Sequence, residues 1–317
     1  MGLLVALVLS ELLIRLVPLV HDKSLVLYDA RPGDEGQSPR PNQSVRTLLG
    51  RLETTNTYGM RDPHRDLERP DVPTFRRVAL VGDSVVWGFG LEDDEVLARR
   101  LERRLGELDT RRTWEVWSLA QPATTQLNHA ARYERLGGEL KPDLVLVTVL
   151  FNDLLPGPTS FRVTEGGMLA SLHRDAPYPD RLRPLVDRSA SFQLAMIALY
   201  AREKRANPNT HAFDLKHLPD LLGGLTRIEA AARKDGAAVL LSLVPGRYED
   251  PESYATLRDA LVAWGRMRDV ALLDLAATLG SPMREEHAQK GDSTHPNAHG
   301  IDLMAQALAP EMARVVR

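Results

Sequence analysis

Three side chains in this sequence have the types and spacing that turn an alcohol into a nucleophile. Ser84 lies in Gly82-Asp83-Ser84, directly after a short apolar run. Asp292 and His295 stand three residues apart in the segment DSTHPN at 292–297. A serine hydroxyl is a weak nucleophile at neutral pH, and it needs a base to take its proton and a third group to orient that base. A carboxylate three residues from an imidazole on one loop can hold the ring, and the held ring can face Ser84. The chain order Ser, Asp, His is no obstacle, because geometry defines such a unit. Attack on a carbonyl also requires donors for the oxyanion that forms. Asn152, in Phe151-Asn152-Asp153, offers a side-chain amide. The backbone N–H groups of Ser84 and of the segment SLAQPATT at 118–125 are the other candidates.

These segments need a scaffold that brings them together. Apolar runs at 77–81, 114–119, 144–150, 238–244 and 270–275 read as strands. The third, LVLVTVL, is apolar almost throughout, which predicts burial on both faces. Helical spacing of apolar residues covers 91–108, 125–140, 191–204, 218–234, 252–266 and 300–317. Strand–helix alternation of this kind predicts a parallel sheet covered on both faces. Ligands of such sheets bind at the carboxyl ends of the strands, where the candidate segments fall. The stretch 154–190 interrupts the alternation, with a small hairpin at 161–169 turning at Gly166 and Gly167.

Composition removes several classes of function. The chain has 317 residues, 43% of them hydrophobic, with 40 basic and 43 acidic side chains and a net charge of −3. That balance argues against disorder and against a nucleic-acid partner. The sequence contains no cysteine, which excludes disulfides, thiolate zinc sites and a cysteine nucleophile. There is no G-x-S-x-G, Walker A or G-x-G-x-x-G pattern, so the corresponding hydrolase elbow, P-loop and dinucleotide readings lose support. His299 follows His295 by four residues, a spacing that suits two metal ligands on a helix. No further ligand is evident, and His299 reads as a surface residue in the first turn of the last helix. The remaining histidines, scattered along the chain, also read as surface residues. Asp83 reads as a brace of its turn and Asp153 as a helix cap. Trp87 and Phe89 are read as packing against the sheet in preference to lining an acyl pocket.

The amino-terminal quarter is organised differently. Residues 2–20, GLLVALVLSELLIRLVPLV, are apolar except at four positions and are long enough to cross a bilayer core of about 30 Å. Glu11 and Arg15 stand four apart, in pairing range on a helix. The run lacks the basic flank and cleavage site of a signal peptide. Residues 1–22 are therefore read as a membrane anchor, preferred over a packed helix of a soluble protein. Residues 23–75, rich in Pro, Gly, Asn, Arg and Asp, read as an extended linker or lead-in.

Taken together, the motifs resemble those of the SGNH/GDSL-type serine hydrolases. GDSVVWGFG at 82–90, SLAQPATT at 118–125, FND at 151–153 and DSTHPN at 292–297 follow one another in that family's order. NTYGMRD at 56–62 and ELLIR at 11–15 resemble a bacterial, membrane-anchored branch. The resemblance implies a three-layer α/β/α domain over 76–317 with a five-stranded parallel sheet, flavodoxin-like, ordered 2-1-3-4-5. Residues 154–216 would be a lid-like insertion. It implies hydrolysis of acyl esters, acetyl esters included, through Ser84 as nucleophile, His295 as base and Asp292 as its orienting carboxylate. The oxyanion hole would combine Ser84, Ala123 and Asn152. Two positions depart from the family: its oxyanion glycine is Ala123 here, and its usual asparagine before that loop is Ser118. No metal and no organic cofactor are implied. The expected partners are an ester-bearing small molecule, glycan or lipid, and a membrane on the outer side of the cell envelope, with the cytoplasm as the alternative location. The rival readings are an O-acyltransferase acting on surface glycans and a non-catalytic glycan-binding relative.

Overall fold

A computed structural model describes residues 9–13, 28–30, 36–46, 51–122, 124–155, 161–163, 169–171, 189, 191, 192, 195, 215–247, 250–290, 292 and 294–316. Five parallel strands form the central sheet: β1 (Phe75–Val81), β2 (Thr113–Ser118), β3 (Leu144–Leu150), β4 (Ala238–Val244) and β5 (Ala271–Asp274). Their spatial order is β2-β1-β3-β4-β5, as the motifs imply. The central strand β3 is buried along its whole length. Its side chains alternate between two cores, since successive residues of a strand point to opposite faces. Leu144 and Leu146 join one core with Val78, Leu80 and Leu240, while Val145, Val147 and Val149 join the other with Ala79, Val81 and Leu241.

Helices cover both faces. The short α1 (Ser84–Trp87), α2 (Leu97–Leu108), the short α6 (Ala276–Leu279) and α7 (Ala298–Val315) belong to the first core. The helices α3 (Gln126–Leu140), α4 (Leu218–Lys234) and α5 (Pro251–Arg268) cover the second. Helix α4 lies so close to the start of α3 that a Cβ on Gly224 would stand 2.5 Å from the Gln126 backbone. The helix predicted over 91–108 begins only at Leu97, because residues 91–96 form turns in which Glu95 accepts the Glu92 N–H.

The lead-in departs from the linker reading. Residues 53–62 of it are largely packed on the domain, and Met60, Asn56 and Arg61 are buried there. The Asn56 side-chain oxygen accepts N–H bonds from Tyr58 and Met60 and folds the segment into a tight loop. Gly59, at φ +69°, lets this loop lie against Pro39, whose carbonyl oxygen would be 2.1 Å from a Cβ. Further on, Arg69 binds Asp143 and the buried Arg77 binds Glu115 and the Leu67 carbonyl. Part of the polar composition that suggests a solvated linker is thus spent on paired groups, while most of residues 63–74 are exposed. Two short antiparallel pairs, Tyr28–Ala30 with Gln37–Pro39 and Ser44–Arg46 with Leu52–Thr54, lie within the lead-in.

The open edge of β2 is closed by side chains rather than by a strand. Glu102 accepts the Val116 N–H, Asp62 accepts the Ser118 N–H, and Arg65 and Arg99 donate to the Val116 carbonyl. Such covering blunts an edge that would otherwise pair with another chain.

Within the expected anchor, residues 9–13 are helical and the others lie outside the described residues. Glu11 accepts bonds from Ser189 Oγ and the Ser191 N–H, while Arg15, its expected partner, lies outside them. Among the described residues no helix is long and apolar enough to cross a membrane. The hairpin of the insertion pairs Phe161–Val163 with Leu169–Ser171. Gly166, Gly167 and most of the proposed lid at 154–216, including most of the predicted helix 191–204, lie outside the described residues.

Candidate active site

The carboxyl ends of β1 and β3 and the loop before α7 meet at Ser84. Strand β1 ends in Gly82, where a Cβ would stand 2.5 Å from Val86 Cγ2, so the chain can turn into α1 at once only without a side chain. Asp83 caps α1, its Oδ1 accepting the Val85 N–H at 3.0 Å. Ser84 is the first residue of this helix and is itself largely buried. Its Oγ is 2.8 Å from His295 Nε2 and 3.3 Å from Asp83 Oδ2. The hydroxyl has one proton, and the shorter contact is to the imidazole.

His295 approaches from a loop 211 residues further along the chain. An antiparallel bridge between Ala288 and Pro296 closes that loop, and Asn297 anchors it by capping α7 through the Gly300 N–H. Asp292 shapes it from within: Oδ1 accepts the N–H groups of Thr294 and His295, and Oδ2 is 2.8 Å from His295 Nδ1. Burial raises the Asp292 pKa, but the hydrogen bonds and charge of His295 and the two backbone donors outweigh it and hold it at about 2. An ionised carboxylate on Nδ1 fixes the tautomer with the proton on Nδ1 and leaves Nε2 as acceptor towards Ser84.

Asn152 follows β3 in a single 3₁₀ turn, Phe151–Asp153. Its Nδ2 donates to Asp83 Oδ2 at 2.7 Å. An amide nitrogen carries two protons, so one N–H remains for a substrate oxygen beside Ser84. Asp83 is the brace that the sequence suggests, joining the nucleophile helix to Asn152. Asp153 caps the turn, its Oδ2 accepting the Leu150 N–H and a Gln126 Nε2–H. Its pKa is pushed well above the ordinary carboxylate range by burial and then by the nearby Asp83.

Sequence comparison gives this geometry its context. The profile of the GDSL-like lipase/acylhydrolase family matches residues 80–303, which contain every residue of the arrangement above. The chain belongs to the GDSL-like lipase/acylhydrolase family. It is an ester hydrolase. The fold is similar to that of TesA, at 18% identity and a TM-score of 0.50, with 76% of this chain and 99% of that one covered. The esterase EstA of a Pseudoalteromonas species is similar at 14% identity and TM-score 0.48, covering 75% and 97% of the two chains. Axe2, an acetylxylan esterase from Geobacillus stearothermophilus, gives 14% and 0.48, covering 75% and 94%. No curated protein matches the chain.

The surroundings of Ser84, His295 and Asp292 in this hydrolase correct several sequence readings. Trp87 packs in the core and donates to Glu53 from Nε1, as preferred, but Phe89 is 39% exposed with its ring centroid 4.8 Å from that of His295. Ala123 lies outside the described residues. The nearby Gln121 N–H binds the Gly82 carbonyl at 3.0 Å, tying the loop after β2 to the turn that carries Ser84. Ser118, in place of the family's asparagine, leaves its buried Oγ without a partner. His299 is exposed in the first turn of α7, as read, and the described residues contain no cluster able to hold a metal.

Two histidines read as surface residues are buried instead. His287 sits under the loop that carries His295, with Nδ1 bonded to the Leu279 carbonyl. His129, in α3, is fully buried beneath the loop after β2, its Nε2 2.9 Å from Thr124 Oγ1. Thr124 spends its own proton on the Gln121 carbonyl, so His129 is the donor and its buried Nδ1 has no partner. Burial drives the His129 pKa down to about 4 against the pull of the Asp83 carboxylate and the Gln121 carbonyl. Both ring positions are spaced like helix or loop residues of no special type, and no local sequence signal marks them.

Proposed function

We propose that the protein is a serine esterase working through a covalent Ser84 acyl-enzyme. The observation that carries this reading is the unbroken chain Ser84 Oγ–His295 Nε2 at 2.8 Å and His295 Nδ1–Asp292 Oδ2 at 2.8 Å. Ser84 Oγ attacks the ester carbonyl carbon as its proton passes to Nε2. The oxyanion takes the free N–H of Asn152 and the backbone N–H of Ser84, with Ala123 as the third donor that the family motif suggests. The imidazolium then protonates the leaving alkoxide. Water enters, gives a proton to Nε2, and releases the acid by the reverse sequence. Asp292 stays ionised throughout and stabilises the imidazolium.

The exposed ring of Phe89 beside His295 supports an apolar wall for the ester. The apolar run 2–20 supports a placement at a membrane surface of the envelope. The test is labelling with a fluorophosphonate and mapping of the modified residue. Label on Ser84 is expected, together with near-complete loss of esterase activity in Ser84→Ala and His295→Ala and little further loss in the double variant, because residues acting as one unit are non-additive. Full activity of Ser84→Ala would refute the assignment.

A further inference from the structure

The dipeptide Arg61-Asp62 lies outside the matched family region at 80–303, yet it reaches both halves of the site. The Arg61 side chain is 1% exposed and spends all five of its N–H groups. Nε donates to Asp93. Nη1 donates to the Trp87 and Gly88 carbonyls at 3.1 and 2.7 Å. Nη2 donates to the Leu52 and Leu91 carbonyls at 3.2 and 2.6 Å. Trp87 ends α1 and Gly88 caps it with φ +80°. A four-residue helix is far too short to hold itself, and its last carbonyls have no partner within it. Arg61 supplies those partners, and Glu53 braces the same turn by accepting Trp87 Nε1–H at 3.0 Å while standing 3.7 Å from the guanidinium. The next residue, Asp62, takes the Ser118 N–H at 2.5 Å, at the last position of β2 before the loop that carries Gln121 to Gly82.

We propose that Arg61 and Asp62 are positioning residues of the hydrolase: Arg61 sets the pitch of the helix that presents Ser84, and Asp62 sets the point at which β2 releases the oxyanion loop. The inference rests on the reading of Ser84 as nucleophile. Adjacent residues point one way to the nucleophile turn and the other way to the strand end, so a shift of the lead-in moves both together. A lysine at 61 keeps the charge but has three donors and no planar fork, which leaves at least two of the five acceptors unmatched.

The experiment uses the full chain and p-nitrophenyl acetate as probe substrate. Arg61→Lys and Asp62→Asn are expected to lower kcat by about ten- to hundredfold with little change in KM, as small misplacements of reacting groups do. The rate of fluorophosphonate labelling of Ser84 should fall in parallel. In Arg61→Ala, added guanidinium ion, kept well below denaturing concentrations, should restore part of kcat, whereas urea should not. Leu257→Ala, in the opposite core, serves as a control for lost stability and should keep kcat at temperatures below its own Tm. If Arg61→Lys and Asp62→Asn fold and keep kcat within about twofold of the parent, or if kcat falls only as Tm falls, as in the Leu257 control, the inference is overturned. If Ser84→Ala retains activity and the probe maps elsewhere, it is the nucleophile reading that has failed.

Discussion

Replacing His129 by Gln tests how the buried polar layer under the active site depends on pH. The ring is fully buried, and its pKa falls from the ordinary 6.5 to about 4. At 1.36 kcal/mol per pH decade, that difference is worth about 3 kcal/mol. The unfolded chain binds the proton more readily than the folded one between these two values. His129 therefore favours folding fully above pH 6.5, and this contribution drains away as pH falls towards 4. Glutamine can keep an amide N–H on Thr124 Oγ1 and does not titrate. Near pH 7.5, His129→Gln should be less stable than the parent by about 1–3 kcal/mol, the cost of an imperfect buried fit. By pH 4.5 the parent should have lost most of its margin, so that the two stabilities converge or cross. Urea unfolding followed by fluorescence of the 4 tryptophans at several pH values gives both curves. Carboxylates remote from His129 titrate alike in both proteins and cancel in the difference. A difference that stays constant from pH 7.5 to 4.5 would refute the assignment of His129 as a neutral buried donor.

Two other expectations concern the residues after β3. Asn152→Ala should lower kcat by about 10²–10³ with little change in KM, the usual loss for one oxyanion donor; steady-state kinetics on a short-chain ester decide it, and an unchanged kcat would remove Asn152 from the hole. Asp153→Asn keeps an oxygen for the Leu150 and Gln126 donors and removes a carboxyl whose pKa burial has raised. A raised carboxyl favours folding at low pH and loses that contribution as pH rises through its folded pKa. The Tm of Asp153→Asn relative to the parent should accordingly increase as pH rises above the ordinary carboxylate value of about 4, and a relative Tm that declines as pH rises would contradict the shift.

The scaffold was legible because burial leaves a plain mark on a strand. The run 144–150 has no charge to spare and can only be a central strand, and β4 and α4 likewise run where apolar spacing puts them. The Ser84–His295–Asp292 arrangement was legible because each member sits in a short segment at a strand end or loop, where few other roles compete. Arg61 was not. An arginine among Asn, Tyr, Gly and Asp looks solvated, and only the arrangement of five acceptors around it in space shows that its charge is buried and balanced. The NTYGMRD segment did carry a family likeness, which was the one available hint. His129 was missed for a similar reason: its α3 neighbours alternate apolar and polar residues, and the polar pocket it faces is built from Thr124 and Gln121 on a different element.

The pairing of Ser84 with an imidazole 211 residues away has a consequence, on the proposed mechanism, for the chain during its synthesis. An emerging polypeptide exposes the nucleophile turn early, but a serine without its imidazole is no more reactive than any other alcohol. On that mechanism, hydrolytic competence appears only when the loop before α7 has been made and has closed over the sheet. A half-made or clipped chain that has lost this loop is thus chemically harmless, and turnover of an ester reports that the whole topology, from the first strand to the last helix, has come together.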